Sequence, residues 1–342
     1  MKSVHVIMST FNGEKFLPQQ LESLRAQTWP IRVFAFDDGS ADGTLQILKQ
    51  WERRRETGSS GCAPQEGAVS GPDDTLQDPV NPILDLHVSP DSGQVRRGYP
   101  LCFLETLRQC PAADFYALCD QDDSWMPDRI ETGVRCLEGK DPDKPLLFYS
   151  AVTYCDGELN PKRTSAFIPD MKEEWVRVEP SRLIYGGGAL GMTFLFNHRM
   201  REILEDAMAW GEEHGPWTTK DELIKKIGAV IGEVYYTGRP LALYRRHPGA
   251  VMARTNTTSV LEKYYAALVR TFRDDSALRE DAMVFRYLAE RQEGRIGDLG
   301  LRALVRAFAE GKRGPRCFYG KRYRFSMTEE AALRLLILLG RK

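Results

Sequence analysis

Val4-His-Val-Ile-Met8, running into Ser9-Thr10-Phe11-Asn12-Gly13, and Ile31-Arg-Val-Phe-Ala-Phe36, running into Asp37-Asp38-Gly39-Ser40, are the stretches that decide the fold. Each apolar run is short, rich in β-branched or aromatic residues, and stops at small, polar or acidic turn formers, as a strand does where it meets a loop. Between the two runs Phe16, Leu17, Leu21 and Leu24 recur at helical spacing, and after the second loop Leu45, Ile47, Leu48 and Trp51 do the same. Strand, loop, helix, strand, loop, helix is the order of a parallel sheet with right-handed crossovers. The predicted class is α/β, with a Rossmann-like, mostly parallel central sheet flanked by helices.

Outward from this opening, residues 56–82 break the rhythm. Gly, Ser, Pro, Gln and Asp dominate there, which reads as a flexible, solvated insertion. Strand patterns return at 83–88, 115–119 and 146–152, a helix at 221–231, and two short strands at 234–236 and 241–244. Beyond His247 the chain reads as helices without catalytic-looking loops. The expected organisation is a catalytic domain over 1–250 and a helical, basic C-terminal region over 251–342.

Composition narrows the functional classes. The 342 residues carry 47 Lys and Arg against 48 Asp and Glu, a balance unlike that of a general nucleic-acid binder. No run approaches the length of a spanning helix, and the first ten residues are too soon interrupted by Ser9 and Thr10 for a signal peptide, so a cytoplasmic protein is expected. The seven cysteines form no CxxC pair or zinc-type cluster and read as buried thiols in a reducing compartment.

Three polar or acidic loops follow three predicted strands: Thr10 to Gly13, Asp37 to Ser40, and Asp120-Gln121-Asp122-Asp123. In an open parallel sheet such loops share the carboxyl edge, where ligands bind. Four or five carboxylates gathered there repel one another, so a cation is expected, and oxygen donors suit Mg²⁺ or Mn²⁺ together with substrate phosphates. In extended chain Asp120 and Asp122 point the same way, so both can face one ion, or one an ion and the other a ribose. An Asp-x-Asp pair alone is a common turn; its place between an apolar strand and Ser124-Trp125-Met-Pro127 sharpens it.

The ordered succession S-T-F-N-G at 9–13, D-D-G-S-x-D-G-T at 37–44 and C-D-Q-D-D-S-W-M-P-D-R-I at 119–130 resembles the family 2 inverting glycosyltransferases of GT-A fold. The resemblance is strongest to the bacterial rhamnosyltransferase-like branch that makes surface polysaccharides. It continues through Gly186-Gly187, Lys220-Asp221-Glu222 and Tyr244-Arg-Arg-His247, and covers about residues 3–250. It implies a UDP- or dTDP-sugar donor and a carbohydrate or lipid-linked saccharide acceptor. Thr10, Asn12, Glu14 and Asp38 would hold the base and ribose, with Asp37 supporting that loop or touching the base. Gln121, Trp125 and Gly187 would belong to the same nucleotide-sugar site, Trp125 either stacking on a sugar or packing the loop. Arg96, Arg97 or Arg246 would help hold phosphate oxygens. Asp122 would be the principal ligand of a Mn²⁺ or Mg²⁺ ion, Asp120 would contact ribose or metal, and His247 would approach the metal or diphosphate. Asp221 would be the general base, with Glu222 its rival, and Lys220 stands where the family usually shows an acid or His.

From Arg295 on, twelve Lys and Arg stand against four Asp and Glu. Helices of that charge with an apolar face at Leu301, Leu304, Val305 and Phe308 suit peripheral contact with the inner face of the membrane; packing on the catalytic domain is the alternative. Two other functions compete. A nucleotidyltransferase of related architecture needs a Gly-rich basic loop after the first strand, where this chain has only Lys15. A phosphoacceptor receiver module would be far smaller and would leave Asp120–Asp123 unexplained. Asp42 and Asp128 read as helix caps, and His5 and His87 as strand residues without a ligand role.

Overall fold

The computed structural model describes residues 1–57, 84–165, 167–168, 171–185, 188–247, 275–312, 321 and 327–338. Nearly all of the expected insertion, together with Gly186, Gly187, Cys62 and Cys317, lies outside the described residues. The first half runs β1 (Val4–Thr10), α1 (Leu17–Arg25), β2 (Arg32–Asp37), α2 (Thr44–Thr57), β3 (Asp85–Val88), α3 (Leu101–Gln109), β4 (Phe115–Cys119), β5 (Ser124–Trp125) and α4 (Arg129–Leu137). The second half runs β6 (Leu146–Cys155), β7 (Pro161–Thr164), β8 (Val176–Arg177), α5 (Pro180–Ile184), β9 (Leu195–Asn197), α6 (His198–His214), α7 (Lys220–Ile231) and β10 (Glu233–Arg245). Among the described residues three helices follow: α8 (Asp275–Arg291), α9 (Leu299–Ala309) and α10 (Met327–Leu338).

The described strands form one sheet in the order β3-β2-β1-β4-β9-β6-β10-β5, with β7 on β6 and β8 on β10. β1 is parallel to both β2 and β4, and β2 to β3, as the crossover pattern predicts. The register sets Thr10 beside Asp37 and Met8 beside Cys119, so the three motif loops leave the sheet at one edge. β9 then enters antiparallel to both β4 and β6, which makes the sheet mixed rather than simply parallel. The two short strands expected at 234–236 and 241–244 are one strand, β10. It stays parallel to β6 across register shifts on either side of Pro240, where the missing N–H makes a continuous ladder impossible. Those bulges bring Tyr244 to His247 back to the edge that carries the acidic loops.

Both faces of the sheet are covered, which is why its central strands read as unbroken apolar runs. Val4 to Met8 are all buried, and alternate residues enter opposite cores: Ile7 joins Leu104, Tyr116 and Phe196, while Val6 and Met8 join Leu21, Val33 and Cys119. α4 lies close enough to the sheet that a Cβ at Gly133 would come within 2.7 Å of Leu195 and 3.0 Å of Phe148. The described cysteines, Cys102, Cys110, Cys119, Cys136 and Cys155, are free and buried. Asp42 caps α2 as expected, accepting from the Thr44 N–H at 3.0 Å, but Asp128 makes no cap and pairs with Arg239 instead.

The C-terminal helices correct one expectation. Leu301, Leu304 and Val305 are at most 3% exposed and share a core with α6 and α7, and Phe308 stacks on Phe285 at 4.6 Å. The apolar face offered to a membrane is therefore occupied by the protein itself. Arg302 and Arg306 are turned back on Ile296 and Glu293. No helix among the described residues is long and apolar enough to cross a membrane.

Candidate active site

The loop after β1 is fastened to both neighbouring loops. Asn12, in a left-handed conformation (φ 49°), donates its N–H to Ser40 Oγ and accepts the Ala41 N–H on its side-chain oxygen, each at 2.8 Å. Glu14 accepts the Gly43 N–H at 3.0 Å, and its own N–H reaches Asp42. Gln121 clips the loop from the other side: its amide accepts the Phe11 N–H at 2.8 Å and donates to the Phe11 carbonyl at 2.9 Å. Asn12, Glu14 and Gln121 thus fix the shape of the rim with side-chain atoms that the resemblance had assigned to the nucleotide. Thr10 and Asp37 are similarly engaged. The fully buried Asp37 carboxylate takes Thr10 Oγ1 at 2.9 Å, the Ser40 N–H at 2.9 Å and Ser40 Oγ at 2.6 Å, so it supports the loop.

Asp38 accepts backbone N–H groups from Arg97 at 2.5 Å and Gly98 at 3.0 Å, tying β2 to the segment before α3. The Arg97 guanidinium pairs with Asp91 and lies over Phe36 at 4.0 Å, and it is the backbone of Arg97 that enters this network. Trp125 is 3% exposed and sits in the core under Arg129, whose guanidinium is 3.3 Å from the ring centroid, so it packs the loop and presents no face to a sugar. Arg96 and Arg246 lie over Phe11 and Tyr154, at 4.5 Å and 5.3 Å.

The acidic loop after β4 meets His247, Arg245 and Lys220. His247 Nε2 is 2.8 Å from Asp122 Oδ2, with the imidazole packed on Phe16. Asp123 is buried; one oxygen accepts the Arg245 N–H at 2.9 Å, the other has no hydrogen-bond partner, and burial pushes its carboxyl well up. Arg245, which sequence reasoning passed over, holds the loop from beneath by donating to the Asp122 carbonyl at 2.7 Å. Asp120 faces Lys220, whose Nζ is 3.9 Å from Asp120 Oδ1 and 3.1 Å from Asp221 Oδ1. Burial, with Asp122 and Asp221 adding like charge and Lys220 opposing it, pushes Asp120 up to about 6.

Asp221 and Glu222 open α7 behind the N-cap Thr219, and the helix turns them apart. Asp221 faces the cleft, its second oxygen accepting the Gly191 N–H at 2.9 Å. Glu222 is clamped by Lys225 at 2.5 Å and Lys226 at 2.9 Å; these cations outweigh its burial and bring the carboxyl down to about 2. A carboxylate so held is a poor proton acceptor near neutrality. Tyr99, unmarked in the sequence, is half-exposed beside this pair, its ring 4.9 Å from Lys220 Nζ.

Among the described residues no group of three or more His, Cys, Asp or Glu is assembled to hold a metal alone. Asp122 and His247 supply two adjacent donors, which fits an ion of the Mg²⁺ or Mn²⁺ type when substrate phosphates complete its shell.

Residues 5–59 match the family described as Glycosyl transferase family 2. No protein of curated function matches the sequence. Among solved structures, S. aureus TarS 1-349 in complex with UDP-GlcNAc superposes with a TM-score of 0.51 at 16% identity, covering 90% of this chain and 87% of that one. The same protein in complex with UDP gives 0.50 at the same identity and coverage. The mannosyltransferase PcManGT from Pyrobaculum calidifontis, in complex with GDP-Man and Mn²⁺, matches 100% of this chain and 86% of that one at 16% identity, but its TM-score of 0.44 adds nothing to the assignment. The fold is GT-A, and its opening strand–helix–strand unit carries the family 2 glycosyltransferase pattern, as the resemblance implied.

Proposed function

We propose that the protein transfers a sugar from a UDP- or dTDP-sugar to a saccharide or lipid-linked acceptor with inversion, in the manner of the rhamnosyltransferase-like enzymes of bacterial surface polysaccharide synthesis. The observation that carries this reading is the junction of Asp120, Lys220 and Asp221 beside Asp122 and His247 at the carboxyl edge of β1, β2 and β4. That edge is where a doubly wound sheet binds nucleotides, and TarS 1-349, of similar fold, is solved with UDP-GlcNAc and with UDP.

The base and ribose lie in the cleft bounded by the β1 loop and the Asp38-held 97–98 backbone. Asp122 and His247 would hold a divalent ion, Mn²⁺ or Mg²⁺, and when bound it would supply Lewis-acid chemistry at the leaving diphosphate. Asp221 takes the proton of the acceptor hydroxyl as it attacks the anomeric carbon from the face opposite the diphosphate. The Gly191 N–H and Lys220 keep that carboxylate oriented. A lipid-linked acceptor brings the enzyme to a membrane surface, and after burial of the α9 face such contact rests on exposed basic side chains.

The test is a panel of UDP-, dTDP- and GDP-sugars scored for Mn²⁺-dependent release of nucleotide with wild type, Asp122→Asn and Asp221→Asn. Asp122→Asn abolishes metal-dependent donor binding, whereas Asp221→Asn keeps binding and loses turnover. Transfer by Asp221→Asn at the wild-type rate refutes the assignment of the base.

A further inference from the structure

Carboxylates gathered at one sheet edge require a cation, and the fold already provides one. Lys220 is buried, its side chain only 3% exposed, and its ammonium lies between Asp120 and Asp221. Its walls are aromatic, with the Phe103 ring centroid 4.2 Å and that of Tyr99 4.9 Å from Nζ. A buried ammonium persists only when paired, and here both carboxylates face it. Resting on the glycosyltransferase reading above, we propose that Lys220 is a positioning residue. It serves as the resident counter-ion of Asp120 and Asp221, keeping Asp120 out of the metal's coordination shell and holding Asp221 toward the acceptor.

The geometry separates two charge systems within one loop. Asp122 is paired with His247, an imidazole, which has a ring nitrogen lone pair to offer an ion in its neutral form. Asp120 is paired with an ammonium, which carries only donors and has no lone pair to offer a metal. A divalent ion at Asp120 would face that fixed positive charge, so Asp122 and His247 are the residues that would hold it. Asp221, with Lys220 on one oxygen and the Gly191 N–H on the other, is held at both ends. Lys220 thus links the donor side of the cleft to the base. Retaining the charge at this position matters more than retaining a proton acceptor, so the Lys in place of the usual acid or His changes which groups the metal can reach.

Mn²⁺ affinity of the full chain, read in the presence of UDP from the free-ion paramagnetic signal, tests this without relying on turnover. Asp122→Asn is expected to weaken Mn²⁺ by about a hundredfold, and Asp120→Asn by no more than about threefold. Lys220→Met is expected to tighten Mn²⁺ about tenfold, the order expected when a unit positive charge beside a divalent ion is removed, and to lower kcat at unchanged donor KM. Lys220→Arg restores both toward wild type. Loss of Mn²⁺ in Asp120→Asn as severe as in Asp122→Asn overturns the proposal, as does unchanged or weaker Mn²⁺ binding in Lys220→Met. The Asp120→Asn arm decides the matter even if Lys220→Met fails to fold. Failure of the wild type to bind either UDP or dTDP refutes the nucleotide-sugar reading itself, and this proposal with it.

Discussion

Gly191→Ala is the most discriminating single substitution in this protein. Gly191 touches Asp221 twice over: its N–H donates to Oδ2 at 2.9 Å, and a Cβ on its backbone would lie 2.0 Å from Oδ1, 2.5 Å from Cγ and 2.7 Å from Oδ2. Ordinary contact begins at 3.4 Å, so the carboxylate must withdraw by about 1.4 Å. It has little room to do so, because Lys220 is held in turn by Asp120 and two aromatic rings. A displacement of about 1 Å in a reacting group costs on the order of a hundredfold in rate, or about 2.7 kcal/mol of barrier. We expect Gly191→Ala to lower kcat by about that factor or more, while donor KM and Mn²⁺ affinity, which depend on the other side of the cleft, stay within about threefold. Steady-state release of nucleotide, with UDP binding by calorimetry alongside, provides the assay. A variant that folds, binds UDP and turns over within threefold of wild type would refute the placement of Asp221 as base.

Glu222→Gln is expected to leave turnover unchanged and to alter acid stability. The folded carboxyl lies near 2 against an ordinary 4.5, so its stabilisation is complete above about pH 4.5 and is lost as pH falls toward 2. Melting temperatures of wild type and variant should therefore differ at neutral pH and converge over that acid window; a gap that persists at pH 2 contradicts the lysine clamp. Gln121→Ala removes both amide hydrogen bonds to Phe11 and should raise donor KM by about thirtyfold, from two bonds of about 1 kcal/mol each, with kcat retained. Leu304→Ala, at a site 1% exposed, should cost about 2–5 kcal/mol in urea unfolding, in a single transition. A separate early transition would show that the C-terminal helices do not share the main core.

The backbone order was legible in the sequence because its signals are local. Apolar runs of strand length, closed by Thr10, Asp37 and Asp120, announce a parallel sheet and place three loops at its carboxyl edge, since side-chain period and turn chemistry act over a few residues. The spaced motifs likewise pointed to family 2 and the GT-A fold. Tertiary packing decided what each side chain does there. Asn12, Glu14, Gln121 and Asp37 carry ligand-like residue types yet direct their polar atoms at the protein, because a rim cut from three separate loops has backbone donors that must be satisfied before any ligand arrives. Trp125 and the α9 leucines found partners inside the core, a choice that depends on what lies opposite them and that no local pattern encodes. Asp221 and Glu222, adjacent in sequence, were separated by the turn of α7, one toward Gly191 and one toward two lysines. Lys220 looked like a departure from a motif; only the convergence of β4 and α7 showed that it lies between two carboxylates, since electrostatics depends on distance in space and the sequence records distance along the chain.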